Sequence, residues 1–394
     1  MTMVRKLWNR AKDLLPVPGF YFGQPLLLIQ SDDWGRVGLR DRDGLEHLQS
    51  AGLKLGERPY DFYSLETADD VTALTATLKD HHDSAGHLPS LQMNFVVSNL
   101  DFARMEAEDW RAIRVLPLAE GLPRGWQRPG LTEAYRGGIA DGVLYPAVHG
   151  TTHFCRTAVE RNLATGGERA ALLRTLWQSG TPYIHWRMPW IGYEYWDAEA
   201  AEADRFLSRA SQSKLIGDSV GAFAKLFSTL PFSACAPGYR ANEDTLGAWA
   251  QHGIRVAQNG PGALVPPHFD GNEVLQVCRT VEFEPATDAD FTLEACLRQA
   301  ESCFALGIPA VVSIHSINFH SSVKDFRSRT LRLLDEFLTS VESRHRDLLY
   351  VHDAQLWDIV QKGFCQAPGG DVRVSVTSRK FMRAQVATRA TVGP

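Results

Sequence analysis

Residues able to hold a metal ion and to move protons sit at three places along the chain. The stretch 26–35 reads LLLIQSDDWG, an apolar run after Pro25 that stops at two adjacent carboxylates, Asp32 and Asp33. A run of that length and apolarity reads as a buried strand of a parallel sheet, with the carboxylates at its C-terminal end. Two like charges side by side in a partly buried cleft repel and desolvate badly, so a cation is expected beside them, most simply a metal ion. A second strand, over 143–148, leads into His149-Gly150-Thr151-Thr152-His153. On a helical turn, residues four apart share a face, so the two imidazoles can meet at one metal. The third place is the end of the apolar stretch 308–314, which stops at His315. Two histidines and one carboxylate suit zinc or another divalent first-row metal with water completing its shell, a catalytic rather than a structural type of site.

These groups need elements to position them, and the sequence supplies an alternation of strand and helix. Helices are expected up to Gly52 and over 67–84, with Thr67 capping the latter and Asp69 and Asp70 in its first turn. Further helices are expected over 168–179, 198–211, 220–228, 242–253, 293–306, 324–341 and 354–361. Strands are expected over 91–97, 143–148, 254–257, 273–277, 308–314 and 348–351. Such alternation over about 330 residues predicts an α/β fold, with parallel strands and helices packed outside them.

The chain has 394 residues, 44% hydrophobic and 22% charged, with a formal net charge of -5. Lys and Arg are scattered, so no basic stripe is available to neutralise phosphates, and nucleic acid is excluded as a partner. No stretch approaches a membrane-spanning length, and the N-terminus lacks an uninterrupted apolar core of a signal peptide. A cytoplasmic protein is expected. The six cysteines show no CxxC pair, so neither a disulfide framework nor a thiolate zinc site is indicated. Residues 1–24 read as an amphipathic segment closed by Pro16 and Pro18, 25–362 as the main domain, and 363–394 as an appendage able to add an edge strand. The segment 181–197, TPYIHWRMPWIGYEYWD, is unusually aromatic. Its Trp186, Trp190, Tyr193, Tyr195 and Trp196 either pack under a lid or line a sugar-sized cleft. His81 and His82 at a helix end read as structural, as do His185, His268, His320 and His352. Asn318 and His320 follow His315 closely enough to touch a substrate from the same loop.

The order of these motifs resembles the polysaccharide deacetylases of carbohydrate esterase family four. The matching residues are Ser31-Asp32-Asp33-Trp34-Gly35, His149 to His153, 234–239 and Ser313-Ile314-His315, spread in the family's order over roughly 25–360. The resemblance implies a distorted (β/α) barrel of the polysaccharide deacetylase type with insertions. It further implies one divalent ion, zinc first and cobalt, nickel or manganese as alternatives, held by Asp33, His149 and His153. Asp32 would be the general base, His315 the acid that protonates the departing amine, and a backbone N–H such as that of Tyr239 an oxyanion donor. Tyr239, Arg240, Trp186 and Asn318 are the expected substrate contacts. The implied activity is removal of an N-acyl group, N-acetyl first, from a sugar or glycan precursor. The alternatives are a catalytically inactive barrel that binds a glycan or nucleotide-sugar, and a metal-dependent amidase acting on a non-sugar amide.

Two departures from the family pattern stand out. Cys235 occupies the place of the third motif's Arg, which leaves Arg240 as the nearest basic residue able to orient Asp32. Gly150 replaces a Ser or Thr after the first histidine. A protonated His315 also needs a carboxylate partner, for which Asp270, Asp288 and Asp290 are the candidates.

Overall fold

The computed structural model describes residues 17–379, so most of the amphipathic segment expected over 1–24 lies outside the described residues. Apolar runs bounded by Gly, Pro and charged residues form ten strands of one sheet. In chain order these are β1 Leu26–Trp34, β2 Leu91–Phe95, β3 Leu144–Val148, β4 Ser233–Cys235, β5 Val256–Asn259, β6 His268–Phe269, β7 Leu275–Cys278, β8 Val281–Glu282, β9 Ala310–His315 and β10 Leu349–Tyr350. The spatial order is β8-β9-β1-β2-β3-β4-β5-β7-β6, with β10 also on β1. Every ladder is parallel except β7 with β6. All nine residues of β1 are buried, as expected for a central strand covered on both faces.

One stretch of chain, 275–282, carries strands at both ends of the parallel array. At Arg279 it changes partners: the Arg279 N–H donates to the Asn259 carbonyl at 3.2 Å, and the next N–H, of Thr280, donates to Val311 at 2.9 Å. The sheet therefore curls on itself and resembles a distorted (β/α) barrel with insertions. It is a mixed sheet, and among the described residues no ladder of paired strands runs the whole way round it.

Helices flank the sheet, and side chains satisfy many of their free N-terminal amides. Thr67 and Asp70 form a reciprocal capping box on Ala68–Lys79, Asn242 and Thr245 another on Glu243–Gln251, and Thr292 caps Leu293–Leu306. The two helices expected over 198–211 and 220–228 are instead a 3-10 turn, Glu202–Asp204, and one helix, Arg209–Phe227. Ser208 caps that helix, and buried Gln212, Ile216, Ser219, Val220, Phe223 and Leu226 form one continuous stripe along it. Burial of this stripe outweighs the cost of about 1 kcal/mol for each interior glycine, Gly217 and Gly221. Helix Arg156–Thr165 was not anticipated.

Strand Gly19–Phe22 pairs antiparallel with Val376–Arg379, so the two ends of the described chain meet. Between them Phe364–Ala367 and Gly370–Arg373 form a hairpin, while 380–394 lie outside the described residues. No helix among the described residues is long and apolar enough to cross a membrane.

The sheet interior is polar. Asp353, the first residue of helix Asp353–Lys362 and fully buried, accepts the side-chain N–H of Gln30 at 2.9 Å and of Gln258 at 2.6 Å. Replacing it by alanine leaves both amides without an acceptor. Asp353→Ala is expected to lower the unfolding free energy by about 3 kcal/mol, read from the urea midpoint at unchanged m-value.

Candidate metal centre

In a regular strand Asp32 and Asp33 would point to opposite faces, and only one could reach the mouth of the sheet. The backbone solves this at the end of β1. Its pairing with β2 slips between Ser31 and Trp34, and Asp33 takes a left-handed φ of 73°. Aspartate tolerates that conformation better than most residues, and the irregularity turns its carboxylate towards the same cleft as Asp32. The Tyr63 hydroxyl donates to the Asp33 carbonyl at 2.7 Å and fixes the turn.

The two histidines are not brought together by a helical turn. Residues 149–155 form a loop in which Gly150 and His153 are both left-handed, at φ 80° and 72°. Glu194, buried, is the knot of this loop: it accepts the N–H groups of Thr151 at 3.0 Å and of Thr152 and His153 at 2.8 Å. A Cβ at residue 150 would stand 3.0 Å from the Glu194 carboxylate, which explains why glycine occupies this position.

Asp33, His149 and His153 offer ligand atoms that all lie within 4.8 Å of one another, and all three residues are buried. Asp33 Oδ1 is 3.2 Å from His153 Nε2 and 3.8 Å from His149 Nε2, yet no hydrogen bond reaches it. Ligands about 2.0–2.2 Å from a tetrahedral metal are separated by about 3.4 Å. Burial pushes both imidazoles below their ordinary pKa, His153 well below, so they are neutral and able to coordinate. His149 Nδ1 is 2.9 Å from the Cys235 carbonyl, an acceptor that places its proton on Nδ1 and the lone pair on Nε2. Arg36 donates to Asp33 Oδ2 at 3.1 Å and leaves Oδ1 bare. An orphaned buried carboxylate oxygen facing two neutral imidazoles fits a divalent cation. A second possible grouping, Asp32 with His149 and Cys235, fits less well, because Asp32 is already committed.

That commitment is to Arg279. Its guanidinium grips both Asp32 oxygens, at 2.7 and 2.6 Å, while Asn94 Nδ2 donates to Oδ1 at 2.7 Å and the Tyr239 hydroxyl to Oδ2 at 3.1 Å. Burial pushes the Asp32 carboxyl up, but the charge of Arg279, aided by that of His315, more than reverses this and holds it well below the usual carboxylate range. The guanidinium expected from Arg240 is thus supplied by Arg279. Arg240 is exposed and lies over the Trp196 ring at 4.8 Å, too far from the site's interior to orient Asp32.

His315 faces Asp32, with Nε2 3.9 Å from Oδ2, and its Nδ1 is 2.6 Å from Glu284 Oε1. Burial lowers its pKa, but the Glu284 carboxylate outweighs this and raises it to about 9. The partner is therefore Glu284. Asp270 is used within its own turn by the N–H groups of Asn272 and Val274, and Asp288 by the N–H of Asp290. Asn318, expected at the substrate, is fully buried behind His315 and donates to Glu284 Oε2 at 2.7 Å. His320 is buried near Glu66. The Tyr239 N–H is already bonded to the Ala236 carbonyl at 2.8 Å, so it is not available as an oxyanion donor; the residue's contribution here is its hydroxyl.

A cleft of about 400 Å³ opens onto these groups. Of the aromatic segment, Tyr183, His185, Trp186 and Tyr193 line it, whereas Trp190 and Tyr195 are buried in the core. His185 was read as structural, but it stands in the cleft wall stacked on Tyr193, with rings 4.5 Å apart. Sequence inspection also missed Arg279, Glu284, Glu194 and Arg36. Arg279 alone left a signal, as the one charged residue in the otherwise strand-like run 274–281.

The sequence matches no family model, and no curated protein matches it. Among solved structures the chain is similar to one from Mycobacterium smegmatis assigned as a polysaccharide deacetylase, at 11% identity over 86% of this chain and 90% of that one, TM-score 0.44. It is also similar to a family 4 carbohydrate esterase from Streptomyces lividans in complex with acetate, at 12% identity over 83% and 92%, TM-score 0.36. A 4-alpha-glucanotransferase from Thermococcus litoralis scores 0.43 at 11% identity, over 86% of this chain and 40% of that one. Likenesses this loose span different chemistries and carry no functional argument.

Glu194 gives a direct test of how the histidines are held. Glu194→Ala removes the acceptor shared by three amides of the loop, and metal affinity, measured by competition with a chelator, is expected to fall about 10–100-fold.

Proposed function

We propose that the protein is a metal-dependent hydrolase of an N-acyl bond. The observation that carries this is the division of labour between adjacent carboxylates. Asp33 presents a bare buried oxygen to two neutral imidazoles, while Asp32 is held ionised beside a charged histidine. A binding protein has no use for an acid and a base poised 3.9 Å apart. The base-orienting guanidinium, whose absence from the third motif favoured an inactive barrel, is supplied by Arg279.

Asp33, His149 and His153 would hold the ion. A divalent metal there would act as a Lewis acid on the acyl carbonyl and make a water nucleophilic near neutral pH. Asp32 receives that water's proton. Its two oxygens offer about four acceptor positions, and Arg279 (twice), Asn94 and Tyr239 occupy them. The Tyr239 hydroxyl, which also accepts from Arg279 Nη1 at 2.9 Å, lines the cleft. It is placed to take the water proton on its oxygen while passing its own to Asp32. His315 then donates from Nε2 to the amide nitrogen, the C–N bond breaks, and a carboxylic acid and an amine leave. Glu284 stabilises the imidazolium before this transfer and accepts from Nδ1 throughout.

The order of motifs makes an N-acylated sugar or glycan precursor the first substrate class to screen, with zinc the first metal. The second class, a non-sugar amide, is favoured by one observation. Trp186, the expected sugar platform, has guanidinium groups of Arg58 and Arg187 each 4.1 Å from its ring, so stacking on it is already taken.

Elemental analysis should find about one divalent ion per chain, lost in Asp33→Ala and His149→Ala. Protein that takes up no zinc or cobalt would refute the proposal. Activity should fall as pH rises through about 9, where His315 loses its proton. Glu284→Gln removes the charge that raises this pKa, so the alkaline limb should move to lower pH. Tyr239→Phe should lower kcat about 100-fold, with little change in KM.

A further inference from the structure

We propose that the cleft selects a compact N-acyl molecule that is apolar or aromatic beside the scissile bond, and that residues 183–193 arch over the site and exclude the interior units of a polymer. This rests on the metal-hydrolase reading and narrows its substrate.

The first support is the chemistry of the walls. Away from the carboxylates and histidines the lining is Val37, Leu39, Ile184, Trp186, tyrosine rings, two glycines and one guanidinium, that of Arg36, and no Asn, Gln, Ser, Thr or Lys is among it. A sugar ring would bring several hydroxyls into such a wall, each needing a partner once water is expelled. Several of the polar groups present are already committed, while Arg36 Nε, His153 Nδ1 and His185 Nδ1 have no protein partner. Asp61 accepts the N–H groups of Gly56, Glu57 and Arg58 on Oδ2, and those of Trp186 Nε1 and Arg187 Nε on Oδ1. The Tyr63 hydroxyl is given to the Asp33 carbonyl, and Arg36 is shared between Asp33 and the Tyr183 hydroxyl at 2.7 Å.

The second support is the way the segment is fastened. On one flank the Asp61 bonds to Trp186 at 3.0 Å and Arg187 at 3.4 Å join it to the loop 56–63. The Asp61 side chain is fully buried, and Arg58 of the same loop lies against Trp186. On the other flank the Tyr193 ring rests on the turn at Gly238. A Cβ on that glycine, whose φ is +59°, would stand 2.3–2.5 Å from the ring, so only glycine allows this contact. An extended glycan running through the site would have to break one of these fastenings. A cleft of about 400 Å³ has the size of a small-molecule site.

Protein reconstituted with cobalt reports ligation through its visible absorption, independently of turnover. Benzohydroxamate should bind at least about 10-fold more tightly than acetohydroxamate, because the phenyl ring enters the apolar wall. The same hydroxamate carried on dextran should leave the spectrum unchanged. Trp186→Phe removes the indole N–H that bonds Asp61 but keeps an aromatic ring and the three amide contacts of Asp61. It should admit the dextran-linked probe at least about 10-fold better than the wild type. Equal binding of the two free hydroxamates, or wild-type binding of the polymer-linked one, on a normal cobalt spectrum would overturn this inference alone. Unchanged exclusion in Trp186→Phe would overturn the arch. Failure to form any cobalt spectrum would remove the metal reading and this inference with it.

Discussion

A guanidinium with no exposure lies in the interior of the sheet, and the active end of the fold depends on what surrounds it. Desolvating Arg279 costs several kcal/mol, which a bidentate carboxylate and further acceptors can offset. Asp32 supplies the first, and the carbonyl oxygens of Gln30 and Gln258, each 3.3 Å away, supply others. Those two amides face Arg279 with oxygen because their nitrogens are held by Asp353, which can only accept when ionised. The first residue of the helix Asp353–Lys362 thereby helps set the orientation of Asp32 through these two amides. Losing one partner of such a pair typically costs about 3–5 kcal/mol, so the pair is also a constraint on where the 275–282 segment changes partners.

Adjacent residues of the same type acquire different roles from their partners. Asp32 is filled with donors and held charged by Arg279. Asp33 has one oxygen on Arg36 and the other on nothing, facing imidazoles that burial keeps neutral.

Strain collects where the site is built. Asp33, His153 and Tyr239 all have positive φ, at 73°, 72° and 56°, each a cost on the order of 1–2 kcal/mol for a residue with a Cβ. Each is over-determined by its surroundings: Asp33 by Tyr63, His153 by Glu194, and Tyr239 by the close approach of Gly260, where a Cβ would stand 2.8 Å from the ring. Binding groups held this firmly require little rearrangement when a substrate arrives.

The longer strands of the sheet, most helices and the grouping of Asp32, Asp33, His149, His153 and His315 at strand ends were legible in the sequence, because burial periodicity, caps and breakers are local properties of the chain. The helix over 209–227 was not, since only packing decides whether a stripe of buried residues continues through two glycines. Nor were the partners. Arg279 is 247 residues from Asp32, and Glu284 is 31 from His315. Electrostatic pairing depends on distance in space and on what water has been removed, neither of which sequence order records. The aromatic segment makes the same point: composition alone marked it out, but whether each ring faces the cleft, the core or a guanidinium was decided by the tertiary structure.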